Sequence, residues 1–116
     1  MYQVLKRDGE TAEFNISKIA VAITKAFEAQ GKQYHPSVID LLALKVTADF
    51  DYKIKDNLIS VEDIQDSVES VLIQAGYADV AKAYILYRRQ REKIRNMKST
   101  ILDYKDLVDS YLNVSD

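Results

Sequence analysis

Residues 2–14 read YQVLKRDGETAEF and contain the clearest folding signal in this chain of 116 residues. Two short runs of strand-forming residues flank Asp8-Gly9, and glycine accepts the positive φ that tight hairpin turns need. The pattern predicts a β-hairpin with strands near 2–7 and 10–14. A hairpin with one apolar face is not stable alone, so it must pack on the rest of the chain.

The rest of the chain is predicted to be helical, because it contains few glycines and a single proline, Pro36, which suits the first turn of a helix. Asn15 or Ser17 is expected to cap the first helix and Ser60 the third. Four segments place apolar residues at helical spacing. Their stripes are Ile16, Ile19, Ala20, Ile23 and Phe27; Val38, Ile39, Leu42 and Val46; Ile64, Val68, Val71, Leu72 and Ala75; and Val80, Ala83, Tyr84 and Tyr87.

These elements predict a mainly α fold with a small β-sheet, of the α+β class. Four helices form a bundle, and the N-terminal β-hairpin, or a three-stranded sheet that also includes Ile59, caps one end of it. Further apolar positions from Ile101 to Leu112 predict a C-terminal linker helix. We therefore expect a domain at 1–98 and a linker segment at 99–116 that leads towards a further domain.

Composition and charge restrict the possible functions. A hydrophobic fraction of 47% and a charged fraction of 29% are typical of a soluble globular domain, and no segment is long and apolar enough for a membrane span. The chain has no cysteine, which excludes disulfides and thiolate zinc sites and fits a cytoplasmic protein. A net charge of -2 makes nucleic acid an unlikely partner for the whole surface, so an anion site would be local.

No catalytic or metal site is predicted. The single histidine, His35, precedes Pro36 and is most simply an exposed loop residue. The three glycines are too far apart for a phosphate-binding loop. Acidic residues of the third helix, such as Glu62 and Asp66, fit its solvated face.

Two basic groups are candidates for binding an anion. Lys6 and Arg7 lie beside the hairpin turn, and Lys18 lies on the first turn of the first helix, where cations have no favourable dipole partner. From spacing alone, pairing of these cations with Asp8, Glu10 and Glu13 is the simpler explanation. The second group runs from Arg88 to Lys98, and it is either a solvated helix end or a phosphate clamp that uses Arg88 and Arg91 on one face.

Three blocks of sequence together resemble the ATP-cone family. The first is VLKRDG at 4–9, followed by Asn15 and Lys18; the second is SVEDIQDSVE at 60–69; the third is GYADVAKAYI at 76–85, followed by Tyr87-Arg88. The blocks occur in the order and spacing of that family over about residues 3–91. The tail after Ser99 is similar to the linker of anaerobic, class III ribonucleoside-triphosphate reductases.

The resemblance implies an allosteric domain that controls a ribonucleotide reductase, with ATP activating and dATP inhibiting, accompanied by Mg²⁺. The expected partners are the nucleotide, the catalytic domain of the same polypeptide and, when nucleotide is bound, a second copy of the domain. Val4 is expected to pack on the base, Lys6 and Arg7 to meet phosphates, and Asn15 and Lys18 to hold the nucleoside. Gln65, Arg88 and Arg91 are expected to approach the phosphates from the bundle.

One position departs from the family pattern. Many ATP-cones carry an acidic residue three positions after the hairpin glycine, where this chain has Ala12. The preference for ATP or dATP is therefore left open. Two other functions are also considered: the ATP-cone of a nucleotide-responsive transcription regulator, which would begin with a zinc ribbon, and a helical protein-interaction module without a ligand.

Overall fold

The computed structural model describes residues 2–94, of which 2–85 and 86–94 belong to two separate units. The predicted α+β class, with four helices and a small three-stranded sheet, is confirmed. The predicted linker helix at 99–116 lies outside the described residues. The elements are β1 (Gln3–Leu5), β2 (Thr11–Glu13), α1 (Ile16–Ala29), α2 (Pro36–Phe50), a 3-10 turn (Asp51–Lys53), β3 (Leu58–Ser60), α3 (Val61–Gln74) and α4 (78–94).

The hairpin forms at the predicted turn, although its strands are shorter than expected. The Lys6 backbone N–H donates to the Glu10 carbonyl at 2.8 Å, and the Gly9 N–H donates to the Lys6 carbonyl at 3.0 Å. Gly9 has φ 87°, which confirms the reason for glycine there. The Asp8 carboxylate accepts the Glu10 N–H at 2.9 Å. Because residues 6–10 form this turn, the strands cover 3–5 and 11–13 only.

The sheet is mixed, with the order β2-β1-β3. β1 pairs antiparallel with β2 and parallel with β3, so Val4 lies directly between Ala12 and Ile59. The third strand expected at Ile59 is thus confirmed. It follows a tight turn in which Asp56 and Asn57 have φ values of 54° and 58°, a conformation that these two residue types tolerate.

Side-chain caps set the helix starts. Asn15 rather than Ser17 caps α1, because its Oδ1 accepts the Ser17 N–H at 3.0 Å. Ser60 caps α3 through the Asp63 N–H at 3.1 Å. His35 is exposed, as predicted, and its Nδ1 also accepts the Ser37 N–H at 3.1 Å, which makes it the cap of α2. The loop histidine therefore has a structural role.

The predicted stripes form most of the core, which includes Ile23, Phe27, Val46, Val68 and Leu72. The prediction was wrong at Ala75, which is exposed because α3 ends at Gln74 and the chain turns away. Some stripe residues, Ile16, Ala20, Val38 and Tyr87, are only half-buried.

Three aromatic rings attach the sheet to the helices. The Tyr2 and Phe14 ring centroids are 4.7 Å apart, and both rings lie within 6.0 Å of Phe50, at the end of α2. Burial raises the pKa of the Tyr2 hydroxyl, and the Asp51 carboxylate raises it further. Val4 also packs against the core cluster. The sheet therefore covers the bundle end formed by the start of α1, the end of α2 and the start of α3.

Within residues 2–94, no helix has the length and apolar character that crossing a membrane would need.

Candidate functional site

The basic side chains around the hairpin are exposed at the sheet end of the bundle. Lys6 lies at the edge of the turn, and Lys18 lies on the first turn of α1, directly after the Asn15 cap. Among the residues that the structure describes, neither ammonium group has a hydrogen bond or an ion pair. The alternative pairing of Lys6 and Lys18 with Asp8, Glu10 and Glu13 is therefore not formed within residues 2–94. Exposed cations without a carboxylate partner are available to an external anion.

Arg7 joins the hairpin to α3 across a long sequence separation. Its Nη2 donates to the Gln65 side-chain oxygen at 3.2 Å, and its Nε lies 3.9 Å from a Glu62 carboxylate oxygen. The Arg7 side chain is 25% exposed, so it lies along the surface instead of extending into solvent. The structure thus brings together two residues, Arg7 and Gln65, that sequence comparison placed in one site.

Glu62 is the residue that sequence reasoning missed. It was assigned to the solvated face of α3, and its side chain is indeed 65% exposed. The same side chain is nevertheless an ionic partner of Arg7, because it lies on the first turn of α3, one helical turn before Gln65. The Lys53 ammonium lies 4.0 Å from Asp63 on the same turn. No local pattern links Glu62 to the hairpin, since 55 positions separate it from Arg7.

Asn15 has a structural role within the described fold. Its Oδ1 accepts hydrogen bonds from the Ser17 N–H at 3.0 Å and the Ser17 hydroxyl at 2.6 Å. The amide nitrogen of Asn15 has no partner among residues 2–94, so its N–H groups are the ones available to a ligand. The Asn15 carbonyl also accepts the Lys18 backbone N–H at 3.1 Å, which fixes these two residues relative to each other.

Val4 and Ala12 belong to one row of side chains that faces the bundle. They are cross-strand partners, and the third member of the row, Ile59, is 2% exposed. Side chains alternate between the two faces of a sheet, so Glu13 points to the face opposite Ala12. Glu13 therefore does not replace the acidic residue that the family pattern has at the position of Ala12.

Arg88 and Arg91 lie on residues 86–94 of α4, which belong to the second unit. The Arg91 guanidinium donates to the Tyr87 hydroxyl at 3.1 Å and lies 5.7 Å from the centre of the Tyr87 ring. Arg88 is half-buried and has a partner as well. Their contribution to a phosphate site stays a prediction.

The described part of the chain contains no group of three or more His, Asp or Glu side chains arranged to hold a metal ion. The features present at the sheet end are two open ammonium groups, the Arg7–Gln65 pair and the amide of Asn15. This combination of charge and amide donors suits a phosphorylated ligand that carries further hydrogen-bonding groups.

Comparison with known proteins identifies the family. The model of the ATP cone domain matches residues 2–93, which is most of the chain. The chain therefore belongs to the ATP-cone family, as the three sequence blocks indicated.

Its relatives are ribonucleotide reductases of several kinds. The chain is 43% identical over 101 residues to the ribonucleoside-diphosphate reductase subunit alpha of Chlamydia pneumoniae, covering 82% of this chain and 10% of that protein. It is 40% identical over 117 residues to the vitamin B12-dependent ribonucleoside-diphosphate reductase of Thermoplasma acidophilum, covering 96% of this chain and 14% of that protein. It is 32% identical over 103 residues to the anaerobic ribonucleoside-triphosphate reductase of Haemophilus influenzae, covering 86% of this chain and 14% of that protein.

The chain spans between 10% and 14% of the length of these relatives. The regions matched are the N-terminal parts of the reductases. The matched part of those enzymes includes the ATP-cone domain, which is a regulatory domain and is not catalytic alone.

Proposed function

We propose that this domain binds ATP or dATP as an allosteric effector and so controls the overall activity of a ribonucleotide reductase, with ATP activating and dATP inhibiting. Membership of the ATP-cone family and the similarity to reductases support this proposal. The observation that carries it is the set of open cations, Lys6 and Lys18, beside the Arg7–Gln65 contact.

The nucleotide would lie at the sheet end, between the hairpin and the helices. Lys6 and Arg7 would contact the phosphates, and Asn15 and Lys18 would hold the nucleoside. Val4, in the row that faces the bundle, would pack on the base. Mg²⁺ would arrive bound to the triphosphate and reduce its charge, because the described residues include no carboxylate cluster for it. Gln65, Arg88 and Arg91 would complete the phosphate contacts.

The catalytic domain of the same polypeptide would be the target of regulation, in the cytoplasm, and a nucleotide-dependent association of two copies would form part of the response. The class of reductase stays a proposal. The resemblance of residues 99–116 favours the anaerobic triphosphate reductases, which appear among the relatives at 32% identity. The sequence identity to the diphosphate reductases is higher, up to 43%.

Calorimetric titration of the 116-residue chain with ATP and with dATP, each with Mg²⁺, tests the proposal. We expect saturable binding of both nucleotides, and we expect ATP and dATP to compete for the same site. The Lys6→Ala variant should bind about tenfold or more weakly, because it loses a charge-assisted phosphate contact of about 1.5 kcal/mol or more.

Lys82→Ala is the matched control, because it removes the same charge from an exposed position on α4 that has no proposed role. Its affinity should equal that of the parent chain. Absence of binding by the parent chain at millimolar nucleotide, or equal losses in Lys6→Ala and Lys82→Ala, would contradict the proposed site.

A further inference from the structure

Helix α2 has an apolar surface on two opposite sides. Its inner side contributes Leu42 and Val46 to the core, at 2% and 0% exposure. Its outer side carries Leu41 and Leu44, which are 52% and 59% exposed. A surface helix normally has one apolar stripe that faces its own core and a polar opposite face. The outer leucines of α2 therefore require a reason outside the core of a single chain.

The exposed residues on this outer side follow the spacing of a helix-pairing seam. Ser37, Leu41, Leu44 and Ala48 are separated by four, three and four positions, and all four are exposed. This is the a/d spacing by which two helices pack side by side. We call these four residues the outer seam of α2.

The charges beside the outer seam favour one orientation of a second copy. Asp40 lies on one flank and Lys45 on the other, five residues later, and both are exposed. In a parallel pair of helices, a flanking residue of one helix faces the opposite flank of its partner five positions further on. Asp40 of each copy would then meet Lys45 of the other. An antiparallel pair would instead bring the Asp40 flank of one helix against the Asp40 flank of its partner, and it would form no reciprocal Asp40–Lys45 pairs.

The surface around the outer seam is also suited to contact. On one side lies a groove of about 410 Å³ between α1 and α2, lined by residues that include Val21 and Pro36. On the other side lies a groove of about 480 Å³ between α2 and α3, lined by residues that include Val71 and Ala75. Grooves beside a ridge are the surfaces into which side chains of a neighbouring helix fit.

We propose that the outer face of α2 is a self-association surface, on which a second copy of this chain docks in parallel through Leu41 and Leu44, with reciprocal Asp40–Lys45 pairs. The inference rests on the self-association proposed above, and it uses none of the residues assigned to the nucleotide. A helix of fifteen residues is about 22 Å long, so this contact is smaller than the roughly 800 Å² per partner of a stable dimer. Association of the free chain is therefore weak, and it becomes strong where a larger assembly holds two copies close together.

Sedimentation equilibrium of the 116-residue chain, up to about 1 mM and with no nucleotide, ATP or dATP, measures this association. The parent chain should dimerise weakly in at least one of these conditions, and Leu44→Glu should be monomeric in all of them. Ile73→Glu is the control, because Ile73 is similarly exposed, at 55%, on α3. It should dimerise like the parent. Circular dichroism and calorimetry should show that both variants stay folded and bind nucleotide normally.

A charge exchange then tests the parallel arrangement. Asp40→Lys and Lys45→Asp should each weaken dimerisation by about fivefold, because each places like charges together twice. The double variant should recover the parent value. A parent chain that is monomeric in every condition, or a double variant that is no better than the single ones, would overturn the proposal. If the chain bound no nucleotide while the double variant still recovered the dimerisation of the parent, only the proposed effector site would be contradicted.

Discussion

The two ends of the first unit differ in what their cations contact. At the sheet end, Lys6 and Lys18 have no side-chain partner among residues 2–94, and both face solvent. At the opposite end, Lys32 lies 2.9 Å from an Asp79 carboxylate oxygen and 5.4 Å from the centre of the Tyr77 ring. A cation that is already paired within the fold contributes to holding it together. The open cations of the sheet end are the ones that an external anion can use.

The largest expected effect concerns the attachment of the sheet that carries the open cations. Phe50 is fully buried and contacts both Tyr2 and Phe14. Phe50→Ala should lower the free energy of unfolding by about 3–5 kcal/mol, measured by urea denaturation. Tyr52→Ala, at a position that is 77% exposed, should change it by less than about 0.5 kcal/mol. Similar losses in the two variants would mean that the ring cluster does not attach the sheet.

The second prediction compares the two ends directly. Lys18→Ala should weaken ATP binding about tenfold without lowering the melting temperature, because in the proposed site its ammonium would contact only the ligand. Lys32→Ala should lower the melting temperature slightly and leave ATP affinity unchanged. Calorimetry and thermal unfolding of both variants measure the two effects. If Lys32→Ala lost ATP affinity and Lys18→Ala kept it, the nucleotide would bind at the opposite end of the unit and the proposed site would be wrong.

The third prediction concerns the acidic residue beside the open cations. Glu62 lies 3.9 Å from the Arg7 guanidinium. In the proposed site it would compete with a phosphate for that group and would repel the triphosphate. Glu62→Gln should tighten ATP binding by about twofold to fivefold, as expected for one exposed charge pair. The gain should shrink as salt is added, because salt screens exposed charges. Weaker binding in Glu62→Gln would show that Glu62 supports the ligand instead.

The smallest expected effect depends on pH at the paired end. The hydrogen bond from Lys32 is the main reason that the pKa of Asp79 lies below its ordinary value of 3.8, and the Val80 N–H adds to it. A lowered pKa in the folded state means that the Asp79 carboxylate stabilises the fold above pH 3.8. That contribution is lost as the pH falls through the lowered value.

Asp79→Asn should therefore have a slightly lower melting temperature than the parent chain at pH 7. The difference should shrink as the pH falls below 3.8 and should disappear below the lowered pKa of Asp79. Melting curves recorded across this range by circular dichroism provide the test. A difference that persists in strong acid would show that the Asp79 charge is not its cause.

Much of this fold follows from local sequence signals. The hairpin was predictable because Asp8-Gly9 specifies its turn, and the helices because their apolar residues recur at helical spacing. A third strand at Ile59 was one of two alternatives from the sequence, and the structure contains it. The turn at Asp56 and Asn57 was not predicted, because positive φ at these residues leaves only a weak trace in sequence.

The candidate site was predictable only in part. Converging cations suggested an anion, but local spacing favoured their pairing with hairpin acids, and the family resemblance was needed to bring Gln65 into the site. The role of Glu62 depends on a contact across 55 positions, which no periodic pattern encodes. The outer seam of α2 has a visible spacing, yet its exposure is known only once the inner side of the helix is seen to be buried.

The central claim is that the open cations of the sheet end bind the effector nucleotide. An NMR titration with MgATP tests it most directly. The signals to follow are those of the lysine ε-methylene groups and of the backbone and side-chain amides. We predict saturable shifts at Lys6, Lys18, Arg7 and Gln65, with Lys32 unchanged. Saturable shifts centred on Lys32 and Asp79, or no saturable shift at the hairpin, would contradict it.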